Sequence, residues 1–134
     1  MECKVITTKI EGMYEVNNSY FLDNRGYFLN AFRANEDFIL KTWGVKKIEQ
    51  VNISKTRDIG SIRGLHLQKY PFSELKMIRC IKGKVWDVGV DLRQNSETFL
   101  SWHAVELSAE KGNAVIIPYD CAHGFQVLEE DSEI

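Results

Sequence analysis

The chain has 134 residues, enough for one domain over 1–134 and too short for a two-domain enzyme with a separate nucleotide-binding half. Hydrophobic residues at 44% and charged residues at 27% exclude a disordered chain, and 17 Lys and Arg against 19 Asp and Glu give a net charge of -2, with no basic excess for a nucleic-acid backbone. Cys3, Cys80 and Cys121 form no C-x-x-C pair and read as buried thiols of a cytoplasmic protein; with no apolar run near a membrane span and no signal peptide, neither membrane nor nucleic acid is an expected partner.

In chain order, Cys3 to Thr8 and Met13 to Leu22 read as extended. Asp23-Asn24-Arg25-Gly26 is a turn in which Gly26 is free to take a positive φ, and Tyr27 to Phe32 is the returning strand. One helix follows: Asn35 caps it, Glu36 and Asp37 occupy its first turn, and Gly44 ends it. Phe38, Ile39, Thr42 and Trp43 fall close to one face and point to core.

From Val45 the period becomes two, with Ile48, Gln50 and Asn52 on one side and Val51 and Ile53 on the other. Lys76, Ile78 and Cys80 alternate with Met77, Arg79 and Ile81, and Lys82-Gly83-Lys84 reads as a hairpin turn. The clearest strand follows, with Val85, Asp87, Gly89 and Asp91 on one face and Lys84, Trp86, Val88, Val90 and Leu92 on the other. Further strands are expected at Phe99 to Leu107, Ala114 to Ile117 and Gly124 to Leu128. Short strands separated by turns, with one or two short helices, predict an all-β antiparallel sandwich or barrel.

The face carrying Asp87 and Asp91 is either a solvated surface or the lining of a polar lumen. Gln50 with Asn52, and His66 with Gln68, are further polar pairs at i, i+2 spacing that favour the lumen. His66 and His123 each neighbour a glycine in an otherwise regular strand, the signature of a bulge or of close approach by a ligand. His103, between Trp102 and Ala104, has no polar company in the sequence and reads as structural or exposed. A barrel metal site needs histidines at H-x-H spacing, and Gln68 stands where the second would be, so no metal is expected. Arg63 and His66 are separated by an odd number of residues, so on a flat strand they point apart. Both serve one pocket only if the strand bulges, and Gly64 is the expected position of that bulge.

The motifs Asp23-x-Arg25-Gly26-x-Phe28, Gln50-Val51-Asn52-x-Ser54, Gly60-x-Ile62-Arg63-Gly64-Leu65-His66-x-Gln68 and Leu75-Lys76-Met77-Ile78-Arg79 occur in order along the chain. They continue with Gly83-x-Val85-x-Asp87-Val88-x-Val90-Asp91-Leu92-Arg93 and Ile117-Pro118-x-x-x-Ala122-His123-Gly124-Phe125. In this combination the chain resembles the dTDP-4-dehydrorhamnose 3,5-epimerase family.

The resemblance implies a cupin-like jelly-roll barrel, a homodimer, no cofactor and no metal. It implies a cofactor-independent isomerase of deoxysugar and O-antigen biosynthesis, acting on nucleotide-diphospho-4-keto-6-deoxy sugars by proton abstraction beside the C4 carbonyl. By position His66 matches the family's base and Lys76 the lysine near the carbonyl oxygen. Arg25, Gln50, Asn52, Arg63 and His123 match residues that hold the nucleotide diphospho-sugar. Asp87 and Asp91 match barrel-interior polar groups. Asn30 stands at a substrate-binding position where the family has a glutamate. The chain is expected to be shortened at its C-terminus, because the family's proton-returning tyrosine falls beyond Ile134 and neither Tyr70 nor Tyr119 stands at its position. The alternatives are a relative that binds a sugar nucleotide without turnover, and an unrelated small cupin with a metal.

Overall fold

Alternation of apolar and polar residues builds a sheet with one buried face, and two such sheets bury those faces against each other. The computed structural model describes residues 3–44 and 47–134, and these form twelve strands and one helix. The strands are β1 (Cys3–Thr7), β2 (Tyr14–Asn18), β3 (Phe21–Asp23), β4 (Gly26–Phe28), β5 (Lys55–Thr56) and β6 (Ile62–His66). They continue as β7 (Lys76–Arg79), β8 (Lys84–Asp91), β9 (Trp102–Ser108), β10 (Asn113–Ile117), β11 (Cys121–Val127) and β12 (Ser132–Glu133), and α1 spans Asp37–Thr42. One sheet has the order β1-β2-β10-β7 and the other β6-β11-β8-β9, all pairs antiparallel. The fold is a cupin-like jelly-roll barrel.

Ile10, Met13, Cys80, Val85, Leu107, Val115, Ile117, Cys121, Phe125 and Val127 fill the space between the sheets. A second cluster lies on the far side of the first sheet, where Ile39 of α1 packs on Val16, Ala114 and Ile116, with Phe32, Phe38 and Trp43 around it. Strand β10 is therefore buried on both faces, which explains its unbroken apolar run Ala114-Val115-Ile116-Ile117.

Three expectations are corrected. The helix starts at Asp37 with Glu36, not Asn35, at the N-cap and no side-chain cap hydrogen bond. Its C-terminal end is as expected: Gly44 has φ +71 and donates its N–H to the Ile39 carbonyl. The strand expected from Val45 is not a ladder strand. Val45 lies outside the described residues, and residues 47–54 carry no strand before β5 begins at Lys55. Finally, Lys82-Gly83-Lys84 is not a hairpin, because β7 and β8 belong to different sheets. It crosses between the sheets, and a Cβ at Gly83 would stand 2.4 Å from Ser132 Oγ, whose hydroxyl donates to the Lys84 carbonyl and accepts its N–H.

Candidate active site

Strand β8 presents Val85, Asp87, Gly89 and Asp91 inward, and its burial alternates accordingly. The acidic side is therefore the barrel interior and not a solvated surface. Cross-strand register extends that inner row to Phe125 opposite Asp87, His123 opposite Gly89 and Cys121 opposite Asp91. In the next strand His66 stands opposite His123 and Arg63 opposite Phe125.

That last pairing contains the bulge. Two residues on β11 span three on β6, so the register shifts between His123 and Phe125. Gly64 absorbs the shift with φ +102, and a Cβ there would meet the His123 carbonyl oxygen at 2.6 Å and the Gly124 Cα at 2.7 Å. The expectation for Gly64 is met, and it brings Arg63 and His66 to the same side of the ladder.

Behind them lies a carboxylate–imidazole pair. His123 Nε2 donates to Asp87 Oδ2 at 2.7 Å; Asp87 is 0% exposed and the histidine side chain 12%. Burial pushes the Asp87 carboxyl above the ordinary aspartate range, and the hydrogen bond and charge of His123 pull only partly the other way. Its second oxygen, Oδ1, has no hydrogen-bond partner among the described residues.

Asp91 differs from its neighbour. It accepts from the Arg93 backbone N–H and guanidinium, Ser96 Oγ and Thr98 Oγ1 at 2.6–3.1 Å. Burial alone would raise its pKa, but these donors hold the carboxyl well below the usual range. Arg93 also donates to the Glu11 carbonyl, so the network ties the end of β8 to the β1–β2 connection.

The other expected residues are spread around this pair. His66 ends β6 and is exposed, at the rim rather than enclosed in a dry interior. Lys76 opens β7 in the opposite sheet and pairs with Glu74 at 3.3 Å. Arg63 is exposed and donates to Thr56 Oγ1 at 2.8 Å and to the Lys55 carbonyl at 3.1 Å, tying β6 to β5. Gln50 and Asn52 are exposed and lie outside the strands, so they are not the lumenal pair that their spacing suggested. Gln68, the partner proposed for His66, is exposed beyond the end of β6. Asn30 is half-buried beyond β4. Arg25 sits at the tip of the β3–β4 hairpin, 85% exposed, with its guanidinium 2.6 Å from Asp23. Phe21, Leu22, Tyr27 and Phe28 of that hairpin are exposed as well.

His103 is structural, one of the two outcomes expected for it, and it does have polar company: its Nε2 lies 2.7 Å from Glu15 Oε1, a contact between the two sheets. The pairings Asp87–His123, Glu74–Lys76 and Glu15–His103 were missed by sequence reasoning. Only the first left a local signal, an aspartate and a glycine alternating with valines on a strand that should be apolar. Among the described residues no three His, Cys, Asp or Glu side chains gather as a metal-ligating set, and no helix is long and apolar enough to cross a membrane.

The arrangement offers two cross-strand neighbouring histidines, His123 braced by a buried carboxylate and His66 exposed at the rim, with an arginine on the same side of the ladder and a lysine in the opposite sheet. A family model described as dTDP-4-dehydrorhamnose 3,5-epimerase matches residues 7–134. The dTDP-4-dehydrorhamnose 3,5-epimerase of Shigella flexneri is 40% identical over 131 residues, covering 96% of this chain and 70% of that protein. The Sinorhizobium fredii protein of the same name is 41% identical over 114 residues, covering 85% of this chain and 57% of its own length. The crystal structure of the dTDP-6-deoxy-D-glucose-3,5-epimerase of Legionella pneumophila, in complex with dTDP-4-keto-L-rhamnose, matches with a TM-score of 0.89 at 32% identity, covering 98% of this chain and 69% of that one.

Proposed function

We propose, because the chain belongs to the dTDP-4-dehydrorhamnose 3,5-epimerase family, that it is an isomerase that epimerises a dTDP-linked 4-keto-6-deoxyhexose. The observation that carries this reading is the Gly64 bulge, which sets Arg63 and His66 on the side of the ladder that bears His123. A C–H next to a ketone becomes acidic because the electron pair left behind delocalises onto the carbonyl oxygen. The reaction needs a base at that hydrogen and a cation at that oxygen. His66 takes the proton from the carbon beside C4, the C–H electron pair forms the enolate C=C bond, and negative charge develops on O4. Lys76 donates a hydrogen bond to O4. A proton returned to the same carbon from the opposite face restores the ketone with inverted configuration. Arg25, Asn30, Gln50, Asn52, Arg63 and His123 bind the nucleotide diphospho-sugar.

The working form in this reading is a cytoplasmic homodimer. The exposed apolar side chains of the β3–β4 hairpin support that state, because hydrophobic side chains on a hairpin that pairs with no further strand among the described residues call for a covering surface. So does the outer face of the second sheet, where Ile62, Leu65, Trp86 and Trp102 are exposed. One observation favours a relative that binds without turnover: His66 is open to solvent, while the Lys76 ammonium is paired with Glu74.

Incubation with a dTDP-4-keto-6-deoxyhexose in deuterium oxide separates the two readings. The epimerase reading expects deuterium at C3 or C5, abolished in H66A. Binding with no exchange in the wild type would establish the binder in its place.

A further inference from the structure

Strand β8 carries two wholly buried aspartates on the same inner face, and their surroundings differ. Asp91 has both oxygens occupied by charged and hydroxyl donors, as expected of a carboxylate kept for architecture. Asp87 spends one oxygen on His123 and leaves the other without a partner among the described residues. An unsatisfied buried carboxylate oxygen works against stability, and a valine in its place would continue the apolar row begun by Val85. Architecture therefore does not account for Asp87, whereas its single contact does.

We propose that Asp87 is a positioning residue that acts on the bound ligand through His123. The inference rests on the proposed function, in which His123 meets the nucleotide diphospho-sugar. By accepting from Nε2, the carboxylate fixes the rotation of the imidazole and commits that nitrogen as a donor toward the barrel interior. Nδ1 is then the ring atom left to face a ligand. Without Asp87 the ring is free to turn about its side-chain torsions, and the ligand must order it on binding. Register keeps the ring on the side shared by Arg63 and His66, so the position that Asp87 imposes belongs to the same ligand surface.

The test is a double-mutant cycle read by titration with dTDP, which carries the diphosphate and no hexose. D87N keeps the shape of the side chain and removes its charge, and H123Q removes the ring. D87N and H123Q are each expected to weaken dTDP binding about tenfold, the scale of one charge-assisted hydrogen bond. Since Asp87 acts through His123, D87N/H123Q should bind no more than about twofold more weakly than H123Q alone. Additive losses, about a hundredfold in the double variant, or a D87N protein that binds like the wild type, would overturn the proposal.

A spectroscopic measurement on the unaltered protein asks the same question without a binding assay, with H123Q serving only to assign the signal. The His123 ring N–H, bonded to a carboxylate away from water, should give a slowly exchanging downfield proton resonance that disappears in H123Q. If the wild-type spectrum has no such resonance, the positioning role is wrong. If the resonance is present and wild-type protein does not bind dTDP, the functional reading fails while the Asp87–His123 brace stands.

Discussion

Gly64→Ala tests the link between backbone geometry and the site. The new Cβ would lie 2.6 Å from the His123 carbonyl oxygen and 2.7 Å from the Gly124 Cα, both backbone atoms that cannot swing aside as a flexible side chain would. Holding alanine at φ +102 costs about 1–2 kcal/mol, and forcing β6 away from β11 adds about 1–3 kcal/mol of overpacking. The sum, about 2–5 kcal/mol, is a large part of an ordinary domain's stability and corresponds to a fall in Tm of about 6–20 °C. Gly60→Ala is the matched control: its φ is +87, but nothing lies within 4 Å of the Cβ position, so it bears only the conformational cost. Thermal melts of the two variants measure the difference, and deuterium exchange into substrate reads its consequence. Displacing His66 and Arg63 by an ångström is expected to lower exchange by about a hundredfold in G64A, beyond any loss in G60A. If G64A melts with G60A and exchanges deuterium like the wild type, close approach at the bulge does not build the site.

The two buried aspartates should respond oppositely to pH. The Asp91 carboxyl is held low, so it stabilises the fold at neutral pH, and that contribution fades as pH falls below about 4. D91N is expected to cost about 3–5 kcal/mol in urea unfolding at pH 7, with the gap to wild type narrowing in acid. The Asp87 carboxyl is held high, so its favourable contribution belongs to acid pH and is lost as pH rises through its folded value; D87N should cost about 1 kcal/mol or less at pH 7. Arg79, half-buried, donates to Asn18 Oδ1 and to the Ala31 and Gly112 carbonyls. R79M should therefore speed amide exchange of residues 27–32 selectively, and uniform protection across that segment would contradict its anchoring role. Replacing exposed Leu22 and Phe28 with glutamate should leave the melting temperature of the protomer fold unchanged while converting a dimer to monomers in light scattering.

Several parts of this protein were legible from local chemistry. The alternation of Lys84–Asp91 established a strand with one special face, and the turn at Asp23–Gly26 is where its residues placed it. The odd spacing of Arg63 and His66, with a glycine between them, required a bulge because side chains alternate across a strand with period two. The strand expected from Val45 to Ile53 was illegible for the opposite reason. Alternation alone does not make a ladder; a neighbouring strand must offer its hydrogen bonds, and residues 47–53 lie outside every described ladder, pairing beginning only where Ser54 exchanges backbone hydrogen bonds with Ile134 and Lys55 pairs with Glu133. The Lys82–Lys84 turn was misread likewise, since a turn signal fixes a reversal of the chain but not whether the next strand joins the same sheet.

The sequence by itself determined an antiparallel all-β chain, a sandwich or a barrel, because strand period, turn residues and the bulge are properties of consecutive residues, and its ordered motifs marked the family whose resemblance implied the jelly-roll barrel. Only the tertiary structure decided which charges meet. Asp87 and His123 are 36 residues apart and Glu15 and His103 are 88, so each contact exists because strands pair across the barrel or sheets close face to face. Whether a buried carboxylate is satisfied, as at Asp91, or left with one oxygen that has no partner among the described residues, as at Asp87, depends on which donors packing brings within 3 Å, and a linear pattern does not encode that distance.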